Sequence, residues 1–296
     1  MKIGITGASG FVGQQLIHVI NHRPGWSAIG FTRSPEKPVP GCKETRGFGD
    51  APDLSGLDAV INLAGASIFA RWTPETKKKL IASRVDSTRK LVEAIGRLPA
   101  AERPRVLISA SGTGVYGDAG ERILDESAAI GTGFMAELAL AWEKAALQAE
   151  TLGLRVVVAR IGVVLGEEGG AYAIMRWPFA LGLGAQLGNG RQYMSWVHAQ
   201  DLVGLFLHAI ENNSVRGPLN VVGEVPITNG EFTQVLAKAL RAFAFLQVPE
   251  FALKLALGEA ASILLDGQRT VPAKALASGY QFKYPDAGLA VQQLSE

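Results

Sequence analysis

Short apolar runs recur along the first half of the chain, each followed by a longer stretch whose apolar positions fall at helical spacing. Lys2–Thr6 is the first run, and a helical pattern follows from about Phe11 to Asn21, ending before Pro24. Trp26–Thr32 is the second, succeeded by a proline-rich loop from Ser34 to Pro40. Asp58–Leu63 is a third. Thr73 and Pro74 then cap a long helical region towards Ile95, whose break, if any, falls near Ala82–Ser83. Arg105–Ser109, Met135–Glu150 and Leu154–Ile161 continue the alternation as strand, helix and strand. Strands apolar along their whole length and alternating with helices predict a parallel sheet covered on both faces. Right-handed crossovers then leave an α/β, doubly wound arrangement.

From Gly166 the pattern changes. The stretch through Gly169, Gly170, Pro178, Gly182, Gly184, Gly188 and Gly190 is too glycine-rich to form one regular element. Trp196–His198 reads as a short strand, Ala199–Glu211 as a helix, and Pro218–Val222 as a strand returning to the sheet. Phe232–Ala244, Pro249–Ala261 and the region around Tyr280–Leu294 are mainly helical. The expected organisation is a sheet domain over residues 1–165, rejoined by 195–222. A small, mainly helical unit built from 166–194 and 223–296 should pack over the strands' C-terminal ends, where such sheets bind ligands.

The first strand, from Ile3 to Thr6, runs straight into Gly7, Gly10 and Gly13. Ser9 lies inside that turn, and Phe11 and Val12 open the helix. The first glycine allows a tight turn, the second a close approach of a pyrophosphate, and the third close packing of helix on strand. Phosphates would sit on the unpaired N–H groups of the helix N-terminus, which makes this a dinucleotide site. The second strand ends Phe31-Thr32-Arg33-Ser34, without the carboxylate that usually meets a free ribose diol. Arg33 can pair bidentately with a 2′-phosphate and Ser34 can add a hydroxyl donor, which favours NADP over NAD. Asp50 is placed to accept from the adenine amino group. Leu63, Ala64 and Gly65 would bring their backbone beside the ribose and pyrophosphate.

A net charge of +2 over 296 residues, with the basic residues scattered, excludes a nucleic-acid footprint. One cysteine, Cys42, excludes an intrachain disulfide and a thiolate metal cluster. The histidines offer no metal spacing, so no metal is expected. No apolar run reaches membrane-spanning length and no secretory leader precedes the first strand, so the expectation is a soluble, cytoplasmic protein without a membrane partner.

Several stretches carry a resemblance: ITGASGFVG, AVINLAGASI, Ser83-Arg84-Val85-Asp86-Ser87-Thr88, LISASGTGVYGD, VVVARIGVVLG, LGNGRQYMSWVHAQDLV, PITNGEFTQVLAKAL and GYQFKYPD. Over essentially its full length the chain resembles the extended short-chain dehydrogenase/reductases of Rossmann type, and within them the atypical epimerase-family (sugar-nucleotide epimerase-like) proteins. The resemblance implies NADP binding, a small-molecule substrate such as a sugar nucleotide, and, by analogy of fold, a homodimer. Hydride-transferring members combine a Ser or Thr with a Tyr-x-x-x-Lys pair, in which the lysine lowers the pKa of the tyrosine that moves the proton. The hydroxyls survive here as Ser109, Ser111 and Thr113, with Ser111 and Thr113 the better placed to meet a substrate oxygen. The Tyr–Lys pair does not survive: if Phe134 takes the tyrosine's place, Leu138 takes the lysine's, and shifting by one gives Met135 and Ala139. Tyr116, in the turn Val115-Tyr116-Gly117-Asp118, is the candidate substitute acid, or else a packing residue of that turn. Arg84, Lys78 and Arg191 are the candidate cations that would help lower the pKa of Tyr116; Arg84 and Arg191 are also candidate substrate contacts, Arg191 because the family carries a phosphate-binding arginine in that segment. Trp196 is a candidate for the ligand pocket. Glu137 reads as a helix-surface carboxylate and Arg160 as a structural pairing residue; at a strand-to-helix turn Asp201 reads as a cap and His198 as a residue bonded to backbone. Two functions follow as expectations. One is an NADP-dependent epimerase or reductase acting on a small hydroxy or carbonyl compound; the other is an NADP-binding sensor or interaction module without turnover.

Overall fold

The apolar run Lys2–Thr6 forms β1 of a seven-stranded parallel sheet, in a computed structural model that describes all 296 residues. The other strands are β2 (Ser27–Thr32), β3 (Glu44–Gly47), β4 (Ala59–Asn62), β5 (Val106–Gly112), β6 (Arg155–Ile161) and β7 (Gly217–Val221). Their spatial order is β7-β6-β5-β4-β1-β2-β3. The order reverses between β1 and β4, whose registers pair Thr6 with Asn62, so a crevice opens above the C-terminal ends of these two strands. One feature was not foreseen: β3 (ETRG) is polar and half-buried, as an edge strand with a single neighbour can be.

Helices cover both faces. On one face, α1 (Phe11–Asn21) and α6 (Ala199–Glu211) bury Leu16, Ile17, Ile20, Leu202, Leu205 and Phe206 against Ile3, Ile5, Ile61 and Ile108. On the other, α3 (Ser87–Arg97) and α4 (Phe134–Leu147) bury Leu91, Ile95 and Ala146 against Val60, Leu107 and Val156. The long helical region from Pro74 is α2 (Pro74–Ile81), a π turn over Ala82–Asp86, and then α3, so the break at Ala82–Ser83 is a widening of the helix rather than an interruption. Thr73 caps α2 through its hydroxyl to Thr76 N, with Pro74 at the first helical position.

Residues 166–194 contain a regular element after all. Gly170–Ala180 forms α5, which tolerates Pro178 near its C-terminal end, and Ala185–Leu187 forms a short parallel pair with Leu246–Val248. The start of α5 leans on the first helix of the sheet domain: a Cβ at Gly166 or Gly169 would lie 2.3 or 2.5 Å from the Phe11 ring. The remaining helices of this unit are α7 (Asn229–Ala239), α8 (Glu250–Leu257) and, after two shorter helical pieces, α9 (Ala287–Ser295). Trp196–His198 pairs in parallel with Val163–Leu165, and β7 rejoins the sheet beside β6. The tail is fastened by the buried carboxylate of Asp201 on α6, which accepts from Lys283 N (2.8 Å), Tyr284 N (2.9 Å) and the Tyr280 hydroxyl (3.1 Å).

Candidate active site

The crevice above β1 and β4 is lined by glycine for steric reasons. Gly7 has φ +68°, and a Cβ there would lie 2.9 Å from the Leu63 carbonyl. A Cβ on Gly13 would lie 2.6 Å from the Gly7 oxygen, so helix and turn could not close with any larger residue. Gly10 caps α1 with no side-chain hydrogen bond, and the first turn carries no acidic residue. Ser9 and Gly10 are exposed. The N–H groups of Phe11, Val12 and Gly13 therefore face the crevice without a protein acceptor, where the helix dipole favours an anion.

Behind the crevice a buried polar chain fixes the two loops that would flank a dinucleotide. Thr6 Oγ1 donates to Asn62 Oδ1 (2.7 Å) and accepts from Leu63 N and Ala64 N (3.1 and 3.2 Å). Asn62 Nδ2 donates to Thr88 Oγ1 (2.8 Å) and Ser109 Oγ (3.1 Å), and Trp142 Nε1 donates to the same threonine (2.9 Å). Every member is satisfied, so the chain holds β1, β4, β5, α3 and α4 in one register at the mouth of the site. Ser109 is thereby committed to structure.

Arg33 and Ser34 stand exposed just past the tip of β2, and Arg33 forms no ion pair. A guanidinium free at this point is available to a 2′-phosphate. Asp50 is also exposed but is not free: Lys90 Nζ lies 2.6 Å from its Oδ1, and this lysine holds the carboxyl below its usual range. Adenine would have to compete with an ammonium for that oxygen.

At the other end of the crevice the predicted catalytic hydroxyls part ways. Ser111, on β5, is buried and donates to Glu143 Oε1 (2.8 Å). Glu143, on α4, also receives Arg160 Nε and Nη2, both at 2.9 Å, as a two-pronged buried ion pair. Arg160 Nη1 donates to the Tyr116 hydroxyl (2.9 Å), which in turn reaches Asn220 Oδ1 (2.7 Å) on β7. Tyr116 is 1% exposed, and burial pushes its pKa up despite the adjacent arginine. A phenol this enclosed, with its oxygen shared among Arg160, Asn220 and the Asp125 carbonyl, has no open path to a ligand. Its place is that of a packing and bonding residue rather than a substitute acid. Thr113 differs from both: it begins the tight turn after β5, and although the residue is buried its hydroxyl has no partner in the protein.

Glu143 went unnoticed in the sequence although a signal was present. It lies four residues after Ala139 and three before Ala146, both buried, so an acid had been written onto the apolar face of α4. Phe134 and Leu138, at the positions of the missing pair, join Trp72, Trp142, Ala110 and Ala260 in an apolar cluster, with Trp72 edge-on to Phe134 at 5.0 Å between centroids. Glu137 is exposed.

Of Arg84, Arg191 and Trp196, the structure brings one to the crevice. Arg84, in the π turn, lies against Gly65, whose added Cβ would sit 3.1 Å from the guanidinium carbon. Arg191 instead has a side chain 80% exposed, 3.8 Å from Glu121 on the outer surface, because the turn through Asn189 and Gly190 aims it outwards. Trp196 is buried in the core of the small unit, its indole N–H on the Val225 carbonyl, and lines no opening. His198 caps α6 by accepting from Gln200 N, bonds Gln293, and is held neutral-leaning by burial. No group of His, Cys, Asp and Glu side chains could hold a metal ion, and no helix is long and apolar enough to cross a membrane.

Comparison with known proteins agrees with this architecture. The profile of the NAD dependent epimerase/dehydratase family matches residues 3–223, and that of a domain of unknown function (DUF1731) matches residues 248–294. The chain is 38% identical to the epimerase family protein YfhF of Bacillus subtilis, over 99% of this chain and 98% of that one. It is 40% identical to the chloroplastic epimerase family protein SDR39U1 homolog of Arabidopsis thaliana, over 99% and 87% of the two chains. Among solved structures, the human epimerase family protein SDR39U1 with NADPH superposes with a TM-score of 0.91 at 34% identity, covering 100% of this chain and 99% of that one. The UDP-glucuronic acid 4-epimerase of Bacillus cereus, in complex with NAD, shares the fold with a TM-score of 0.77 at 17% identity, covering 99% and 96%. With a glycine cradle at the switch point of a doubly wound sheet and these relatives over its whole length, the chain belongs to the NAD-dependent epimerase/dehydratase family.

Proposed function

We propose that the protein binds NADP in preference to NAD and acts as a one-way oxidoreductase on a small carbonyl or hydroxy compound, a sugar nucleotide being one such substrate. The observation that carries this reading is the pairing of an uncapped glycine cradle with an unpaired Arg33 at the tip of β2. The human relative's structure with NADPH supports the same choice of cofactor. Gly7, Gly10, Gly13 and the N–H groups of Phe11 and Val12 would hold the pyrophosphate, Arg33 and Ser34 the 2′-phosphate, and Leu63–Gly65 the ribose side. Bound there, the cofactor supplies hydride chemistry. Thr113 orients a substrate oxygen with its free hydroxyl. The Ser111–Glu143–Arg160–Tyr116 chain holds β5, β6 and α4 in place beneath it. Phe134 and Leu138 themselves carry no proton donor, and the nearest ammonium, Lys77 over the Phe134 ring, is paired with Glu259, which weighs against a cycle that must move a proton in both directions at one site.

A second reading has its own observation. Ile174, Trp177 and Leu181 on and after α5, Phe243 and Phe245 beside the Leu246–Val248 strand, and Phe251 and Leu255 on α8 are all exposed. Apolar exposure on this scale fits an NADP-responsive protein that docks a partner through its small unit.

Titrating the cofactor-free protein with NADPH and NADH by nicotinamide fluorescence tests the first reading. NADPH should bind more tightly, and Arg33→Ala should weaken NADPH by about tenfold or more while changing NADH little. Equal losses for both would remove Arg33 from phosphate recognition, and no saturable binding of either would end the cofactor reading.

A further inference from the structure

The apolar cluster at the far end of the crevice is shared between the sheet and the small unit. Ile68, Phe134, Met135 and Ile161 enter it from the sheet side, Leu257 and Ile263 from the small unit, and each is only half-buried. Leu63, whose backbone closes on Gly7, packs on the same cluster, so the apolar surface begins beside the cofactor cradle and ends on the small unit. Met135 stands next to the turn that carries Thr113: a Cβ on Gly114 would lie 3.2 Å from the Met135 Cβ. Thr113 is 7% exposed, and its hydroxyl has no partner in the protein. One unpaired hydroxyl set among apolar side chains suits a single oxygen on an otherwise apolar molecule. Residues 258–262 also line a polar cavity of about 540 Å³, which a longer substrate reaching past the cluster would enter. Its wall carries the carboxylates of Asp118, Glu250, Glu259 and Asp266. Lys254 pairs with Glu250 and Lys77 with Glu259, and Arg71 lies at the rim, its Nε 3.5 Å from where a Gly258 Cβ would be. Asp118 and Asp266 form no ion pair. Asp118 accepts instead from the N–H groups of Gly267 and Gly120, and burial with the Asp118 charge pushes Asp266 up to about 6 against the pull of Lys254. A diphosphate placed here would meet two carboxylates already short of compensation.

We infer that the substrate is an uncharged, largely apolar ketone, aldehyde or alcohol without phosphate, held by its hydrocarbon part among Phe134, Met135, Leu257 and Ile263 and by its oxygen on Thr113. The inference rests on the oxidoreductase reading above and narrows it, since a sugar nucleotide would bring its diphosphate to the acid-lined cavity. Hydrocarbon buried on this wall supplies affinity, and the carboxylates beyond it turn anions away, so selection works by repulsion as well as by fit. Phe134, in the place of the missing tyrosine, then has a use of its own: with Trp72 edge-on behind it, the ring extends the surface on which hydrocarbon packs. In the reductive direction the carbonyl carbon gains a hydride from NADPH and the C=O π pair moves to the oxygen. That oxygen, held by Thr113, takes a proton from solvent, and the alcohol leaves with NADP⁺ formed.

The test titrates the full chain, cofactor-free and loaded with NADP⁺, with acetophenone, benzophenone and UDP-glucose by calorimetry, and follows NADPH oxidation by each ketone. Wild type should bind the ketones saturably and UDP-glucose not at all. Leu257→Ala should weaken ketone binding by about tenfold and Ile263→Val by about threefold, with NADPH affinity unchanged in both, because the wall loses hydrocarbon while the cradle loses nothing. No saturable ketone binding, wild-type ketone affinity in both variants, or tighter binding of UDP-glucose than of either ketone overturns the inference. Ketone binding that follows the variant pattern without NADPH oxidation upholds the apolar site and removes the oxidoreductase reading. Failure of wild type to bind NADPH sinks the cofactor reading, and the ketone titration of the cofactor-free protein still decides the site. Should Leu257→Ala fail to fold, Ile263→Val carries the comparison, since it removes a single methylene.

Discussion

Tyr116 shows how a residue's type can suggest one role and its surroundings impose another. A tyrosine in a turn after β5, in a chain lacking the usual Tyr–Lys pair, invites an acid–base role. Its hydroxyl is in fact the hinge of a buried chain from Ser111 through Glu143 and Arg160 to Asn220, linking β5, β6, β7 and α4. Tyr116→Phe should therefore leave NADPH affinity within about twofold and cost on the order of 1–3 kcal/mol in a urea melt, because Arg160 and Asn220 each lose a buried partner. Loss of turnover at unchanged stability would restore the catalytic role. Glu143→Gln is predicted to be worse, about 3–5 kcal/mol, since it leaves the Arg160 charge buried and unpaired. The sequence could announce neither partner: Asn220 lies 104 positions from Tyr116, and only folding brings them together.

At the level of elements, alternation and glycine spacing carried most of the information. The strands of the central sheet are mainly apolar because both their faces are covered, so six of them stood out in the sequence; β3, at the edge, is polar and did not. The cradle was legible for a related reason. Three glycines at a strand-to-helix turn are a steric requirement, and the 2.6 Å clearance at Gly13 shows why. Gly13→Ala should push α1 off the turn and abolish NADPH binding while the far-ultraviolet spectrum stays nearly native; wild-type affinity in this variant would mean the cradle is not the phosphate site. Substrate residues were less legible, because segment likeness does not specify side-chain direction. Arg191 and Trp196 lie in a stretch that resembles a ligand-binding segment, yet one points outwards and the other into the core.

Among the ties between the sheet and the small unit, two have consequences for the molecule as a whole. One is Asp201, whose carboxylate gathers the backbone at Lys283 and Tyr284 and the Tyr280 hydroxyl. Asp201→Ala should strand these donors, at a cost of about 2–4 kcal/mol, and speed hydrogen exchange through α9 before the sheet opens. Uniform exchange across the chain would show instead that the tail needs no such anchor. The other fastening runs along the helical axis from Pro74 to Arg97. Its first part, α2, faces the small unit, with Lys77 on Glu259 at 2.5 Å, while its last part, α3, is bedded on the sheet through Leu91 and Ile95. The π turn between them works like a toothed coupling on a shaft: each residue added or removed turns one end against the other by roughly 100°. The number of residues between Ile81 and Ser87, more than their identity, therefore sets which face of α2 meets the small unit. A length change there would mis-time the two halves of the crevice even with every side chain intact.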